Sequence, residues 1–154
     1  MVILTKQDFR GRFEITFPNI NGRDSVVEST LDSFEKEELY KLFGKDLATH
    51  LMANPNDPIY DALYEPILEH RYYSEGLKQV LLSFIYLRYQ KGNYSMSTEN
   101  GRVLKDSSTS IPTNPYVSDI TMYNNAVNGW RAIQMFSRKE YTDFKGIDKR
   151  IQMY

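Results

Sequence analysis

Ser74-Glu-Gly-Leu-Lys-Gln-Val-Leu-Leu-Ser-Phe-Ile-Tyr-Leu-Arg-Tyr-Gln-Lys91 decides the fold class. Within it Leu77, Val80, Leu81, Phe84, Ile85 and then Arg88 or Tyr89 recur at i, i+3, i+4, i+7 and i+8. That spacing puts apolar side chains on one face of a helix. Leu82 and Tyr86 widen the stripe, so the helix is read as central, with apolar neighbours on more than one side. Its start falls near Ser74 or Gly76, it runs to about Lys91, and Gly92 supplies its C-terminal stop.

The sequence that follows, from Gly92 to Asn114, cannot easily fold on itself. Loops longer than about 12–15 residues are uncommon in compact domains and usually bind something or stay disordered. Ser and Thr dominate here, yet Tyr94, Met96, Val103, Leu104 and Ile111 are interspersed, which a plain spacer does not need. Asn100-Gly101 is a hairpin-turn signal, because both residues tolerate positive φ. Residues 92–114 are therefore read as an arm, a possible β-hairpin, that projects from a helical body and orders against another surface. Tyr94, Met96, Asn100, Gly101, Arg102, Val103, Leu104 and Lys105 are its candidate contacts with a partner or a channel.

Beyond the arm, Pro115 and Ser118-Asp119 announce a last long helix running to about Arg138. Ile120, Tyr123, Val127, Trp130 and Ile133 form its apolar face, while Ala126 and Gly129 allow a neighbouring helix to approach. Residues 141–154 lack helical spacing but carry Tyr141, Phe144, Ile147, Ile151, Met153 and Tyr154. Terminal segments are loose unless docked, so this tail is a second candidate for ordering on a partner, with Tyr141, Phe144, Ile147, Ile151 and Tyr154 as subunit contacts.

Upstream of the central helix, residues from Asp24 to Gly44 read as a helix with the stripe Val27, Leu31, Phe34, Leu39, Leu42 and Phe43. Glu35, Glu37 and Glu38 lie mostly between these, and the pair Glu37 and Glu38 reads as a solvated face. Lys45 to Met52 is a shorter amphipathic piece, and Ile59 to Tyr64 forms one more turn before Pro66. At the start, Thr5 to Gly11 suggests a short capped helix with Asp8 at its third position, and alternation over Phe13–Phe17 suggests a brief strand. The expected fold is mainly α: one small helical bundle over residues 1–154, with the extended arm between the two longest helices and an extended C-terminal tail.

Composition narrows the function. With 154 residues the chain forms one domain. The absence of cysteine excludes a disulfide framework and a thiolate zinc site, and fits a reducing cytosol. No secretory h-region is visible, and no run reaches the ~18–20 apolar residues of a membrane span. Charge is lopsided: residues 1–75 carry 8 Lys+Arg against 14 Asp+Glu, and residues 76–154 carry 11 against 6. Complementary halves suit head-to-tail contacts between copies or packing within one domain. Twelve tyrosines supply large apolar faces with polar tips, the type enriched where surfaces are buried between partners or cap a small core.

Catalytic patterns are not found. His50 and His70 are the two histidines, and Asp61, Glu65, Glu69 and His70 do not form a metal motif because Pro66 interrupts them. No nucleophile elbow, phosphate-binding loop or dinucleotide fingerprint occurs, so neither an enzyme nor a cofactor is expected. Arg88, Lys91, Arg102 and Lys105, with Tyr89 and Tyr94 nearby, are compatible with nonspecific proximity to DNA or with solubilising a loop.

Four segments carry a family resemblance: Leu39-Tyr-Lys-Leu-Phe-Gly44-Lys-Asp-Leu47, the central segment from Tyr72 to Tyr89, the Thr98-Glu-Asn-Gly101 turn, and Tyr123-Asn-Asn-Ala126. In this order they resemble the head-to-tail connector (adaptor or ring) proteins of tailed bacteriophages, most of all those of crAss-like and other Bacteroidetes phages. The resemblance spans roughly residues 24–138 through short motifs. It implies a virion protein of the neck, assembled in the host cytoplasm. Copies would form a ring, commonly dodecameric, beneath the portal protein, extending the DNA channel and docking further connector or tail proteins. The arm would then meet the portal, a neighbour or the channel, and the tail would clasp an adjacent subunit. A helical DNA-binding or regulatory domain of the cytosol is the alternative.

Overall fold

A computed structural model describes residues 1–15, 23–98, 101–104, 115–146 and 149–153, with 23–26, 92–98, 101–104 and 115–117 described by their backbone. It is mainly helical. In chain order come α1 (Arg23–Phe43), α2 (Lys45–Ala53), α3 (Asp61–Tyr64), the strands β1 (Ile67–Glu69) and β2 (Tyr72–Ser74), α4 (Leu77–Tyr94), the strands β3 (Ser95–Thr98) and β4 (Gly101–Leu104), and α5 (Pro115–Glu140).

Helix α4 is the centre, as its wide apolar arc requires. Leu77, Val80, Leu81, Leu82, Phe84 and Ile85 are all buried, and α4 packs against both α5 and α1. Across the α4–α5 seam the Phe84 and Trp130 rings meet edge to face with centroids 5.2 Å apart, an arrangement that sets positive ring edge against negative ring face. Gly129 makes this approach possible: a Cβ there would lie 2.6 Å from Val80 Cγ2. From α1, Leu31, Leu39, Leu42 and Phe43 close the opposite side of the core.

Three sequence expectations are corrected. Gly92 does not stop α4, which runs on to Tyr94 and passes directly into β3; a single glycine in a helix costs about 1 kcal/mol, which the packing of a long helix absorbs. Of the two expected starts of α4, Gly76 holds, since its carbonyl accepts from the Val80 N–H at 3.4 Å just before Leu77, whereas Ser74 belongs to a hairpin, β1–β2, that the sequence pattern does not reveal. The expected strand at Phe13–Phe17 is instead a short helical turn over Gly11–Phe13 followed by irregular chain at 14–15, residues 16–17 lying outside the described ones. Phe13 and Ile15 are nonetheless core residues, as are Ile3, Leu4 and Phe9. The N-terminal segment is thus part of the body. At its capped turn, Lys6–Asp8, the Asp8 carboxylate accepts from the Thr5 N–H at 2.6 Å and from its hydroxyl at 2.8 Å.

The β1–β2 hairpin pairs Ile67 with Ser74, Leu68 with Tyr73 and Glu69 with Tyr72 around a His70-Arg71 turn, and it lies against α5. Strands β3 and β4 form a second antiparallel pair between α4 and α5. At 21 residues α1 is longer than the 18-residue α4, and α5, at 26, is the longest helix.

Candidate interaction surfaces

The arm starts as a continuation of α4. Its strands are in register Ser95 to Leu104, Met96 to Val103, Ser97 to Arg102 and Thr98 to Gly101. Tyr94 is the last residue of α4, so the helix leads without a linker into the hairpin. Of the candidate contacts, Tyr94, Met96, Gly101, Arg102, Val103 and Leu104 lie in this helix–hairpin unit, while Asn100 and Lys105 fall outside the described residues.

The C-terminal stretch behaves differently from the expectation of an extension awaiting a partner: its described part is strapped onto its own chain. Tyr141 is half-buried, donates its hydroxyl to the Ile59 carbonyl at 2.8 Å, and packs against the Tyr60 ring at 5.7 Å. Phe144 is half-buried against the core, and the Lys145 N–H bonds the Phe43 carbonyl at 3.0 Å. Gly146 crosses the Leu42 carbonyl so closely that no Cβ fits there. Farther on, Arg150 enters the body. Its guanidinium lies 3.9 Å from the Phe84 ring centroid and 4.3 Å from that of Trp130, and it pairs with the buried Glu38 carboxylate. Arg131 donates to the Arg150 carbonyl at 2.9 Å.

Asn124 then holds Met153 by both polar ends, donating to its carbonyl at 2.7 Å and accepting from its N–H at 2.8 Å. One amide side chain thereby reproduces the pair of bonds that a neighbouring strand would make. Ile151 remains 74% exposed, and Ile147 and Tyr154 lie outside the described residues. Tyr141, Phe144 and Ile151 are thus not gathered into one site: two face inward and one faces outward.

Two carboxylates on α1, Glu35 and Glu38, are buried, which corrects the expectation of a solvated face at Glu38. Glu35 accepts from three successive backbone N–H groups, Val2 at 2.6 Å, Ile3 at 3.0 Å and Leu4 at 2.7 Å. Burial pushes its carboxyl up, with those donors pulling the other way. Glu38 sits among Arg150, Lys41 at 3.2 Å and Arg88 at 3.9 Å. Leu31, Glu35 and Leu39 are four apart, so the helical period itself carries Glu35 into the core. Glu37, by contrast, is exposed as expected, and its hydrogen bond from Arg88 holds its carboxyl below the usual range.

A tyrosine cluster sits where α5 ends. Tyr60 is buried, with His50 Nδ1 2.6 Å from its hydroxyl; Tyr64 donates to the Pro55 carbonyl at 2.9 Å. Desolvation pushes the Tyr64 and Tyr141 phenols up to about 12. Beside this cluster Ile59 is 54% exposed, and on the β1–β2 hairpin Leu68 and Tyr73 are 71% and 51% exposed. Sequence reasoning missed these outward apolar residues because each adjoins an apolar or aromatic neighbour that is buried or half-buried, Tyr60, Ile67 and Tyr72, and a pair of residues does not reveal which of the two faces out.

Among the described residues no three His, Asp or Glu side chains are grouped to hold a metal ion, and no helix is long and apolar enough to cross a membrane. Comparison with protein-family profiles, curated proteins and solved structures finds no match to this chain.

Proposed function

We propose that this chain is a structural protein of a tailed-phage virion, forming one ring of the head-to-tail connector beneath the portal. The reading is carried by the α4–hairpin–α5 unit, in which a central helix runs without a linker into a two-stranded arm that leads back to a second long helix. An arm that continues a helix in this way suits contact with a portal, a neighbour or the channel wall. The motifs in α1, α4 and α5 that resemble phage connectors support the same reading. The ring extends the DNA channel and offers a docking face to the next tail component.

Electron microscopy of the purified protein, alone and mixed with the portal of the same phage, tests this. Closed rings, alone or on the portal, are expected. A lasting monomer with no portal affinity refutes the proposal, and tight, salt-sensitive DNA binding by the isolated chain would instead favour a DNA-binding regulatory domain.

A further inference from the structure

We propose that α5 carries a binding site for an extended, arginine-bearing segment of a partner protein, occupied here by residues 149–153 of the chain itself, a role beyond the ring reading and independent of it. The site is a ladder of polar side chains with a cage at one end. Arg131 donates to the Arg150 carbonyl at 2.9 Å, and Asn128 Oδ1 accepts from Gln152 Nε2 at 2.9 Å. Asn124 takes both backbone polar groups of Met153, at 2.7 and 2.8 Å. Arg131 and Asn124 are seven residues apart, about 10 Å at helical rise, and the three steps from Arg150 to Met153 cover about 10 Å when extended. Exposure along the segment agrees with that conformation. Lys149, Ile151 and Met153 are exposed while Arg150 and Gln152 are half-buried, the alternation of a strand with one face against the body.

The cage decides the chemistry of the ligand. The Arg150 guanidinium lies over the Phe84 and Trp130 rings and pairs with Glu38, whose side chain is 4% exposed. Two ring faces and one buried carboxylate favour a planar cation that stacks and hydrogen-bonds at once, which a guanidinium does and an ammonium does not. Beyond the arginine, recognition is of main chain at Arg150 and Met153 and of one side-chain amide at Gln152. The site therefore reads an arginine, then a hydrogen-bond donor two residues on. The residue between them is unread, as the exposure of Ile151 shows. Any extended chain with that pattern meets the same bonds.

The resident segment is held on one face only, with Ile151 and Met153 turned to solvent. Surface segments of this kind open locally far more readily than a core unfolds. Residues 149–153 of a second copy bring the same contacts as the resident ones and add the loss of free motion on association, so exchange between copies gains nothing. A partner protein gains wherever surface beside its arginine segment adds contacts, which commits the site to a partner of that chemistry.

The probe is a blocked pentapeptide, Lys-Arg-Ile-Gln-Met, and the reporter is Trp130, the one tryptophan, whose ring is a wall of the cage. Arg150→Ala and Arg150→Lys chains, each checked for helix content by circular dichroism, free the cage of the resident guanidinium. Titrating either is expected to shift Trp130 fluorescence saturably, and the same peptide with lysine for arginine should bind about tenfold more weakly. The natural chain should also bind, about tenfold more weakly than Arg150→Ala, because the resident segment competes. A folded variant that does not bind, equal binding of the lysine peptide, or a natural chain that never binds overturns the proposal. Because the chain has no cysteine, Asn128→Cys copies and Gln152→Cys copies can be mixed under mild oxidation. A mixed disulfide between them gives the site to the tail of a second copy and likewise overturns the partner assignment.

Discussion

Replacing Arg150 by alanine should loosen the whole body, although the residue lies in an irregular strap. Its side chain is 14% exposed and that of its partner Glu38 is 4% exposed. Breaking a buried pair from one side costs about 3–5 kcal/mol because the other charge is stranded. Here Glu38 keeps Lys41 at 3.2 Å and Arg88 at 3.9 Å, which brings the electrostatic loss to about 2 kcal/mol. Loss of the guanidinium from the faces of Phe84 and Trp130 adds about 1 kcal/mol. The sum, about 3 kcal/mol, corresponds to a fall in melting temperature of about 6–12 °C for a chain of this size. Urea titration followed by fluorescence of the one tryptophan, Trp130, measures it, since that ring is fully buried and contacts Arg150. Arg150→Lys should recover only the charge component, because an ammonium lacks the planar fork that lies across the rings. A loss below about 0.5 kcal/mol, the range of surface substitutions, would refute the strapped position of this segment.

Three further outcomes are expected. Gly129→Ala gains helix propensity of about 1 kcal/mol yet should destabilise the protein by about 1–2 kcal/mol, because its Cβ meets Val80 Cγ2 at 2.6 Å; chemical denaturation should show Val80→Ala restoring part of the loss, and simple additivity of the two would sink the argument. In an absorbance titration Tyr64 and Tyr141 should ionise near 12, raised above the usual 10; since a raised folded value means stability held below the unfolded value and lost as pH climbs through the folded one, alkaline unfolding belongs between pH 10 and 12, and a single transition near 10 for all tyrosines contradicts it. Glu35, also raised from its usual 4.5, lends its full stabilisation below pH 4.5 and loses it as pH rises through its folded value; the stability of the natural protein relative to Glu35→Gln should therefore decline with rising pH from that point in urea titrations, and a rise would reverse the sign assigned to burial.

Much of the helical scaffold was legible because its signals are periodic over several turns. The spacing of Leu77, Val80, Leu81, Phe84 and Ile85 locates α4, and Gly44 marks the end of α1 one residue beyond Phe43. The β1–β2 hairpin was not, because two strands of three residues are too short to display alternation and His70-Arg71 is not a customary hairpin turn. His70 takes a positive φ of 51° there, which its sequence does not announce. Residue type misleads at Glu35 and Glu38, although Glu35 sits four residues from Leu31 and four from Leu39 on one helical face. Their burial depends on partners far away in sequence, the N-terminal amides and Arg150, and local pattern contains no trace of such partners. For the same reason the tail reads as unattached in sequence: Tyr141, Lys145 and Arg150 find their partners at Ile59, Phe43 and Glu38.

The strap also sets the order in which the molecule assembles and comes apart. Glu38 and Arg150 are separated by 112 positions, so joining them closes one of the longest loops the chain can make, whereas the hairpins and adjacent helices unite neighbours in sequence. Entropy delays such a closure until the nearer elements have already condensed. A contact absent from the transition state leaves the folding rate alone and governs how quickly the native state is lost. The last few residues of the chain thus act as a latch on lifetime: they add little to how fast this protein forms and much to how long each copy endures.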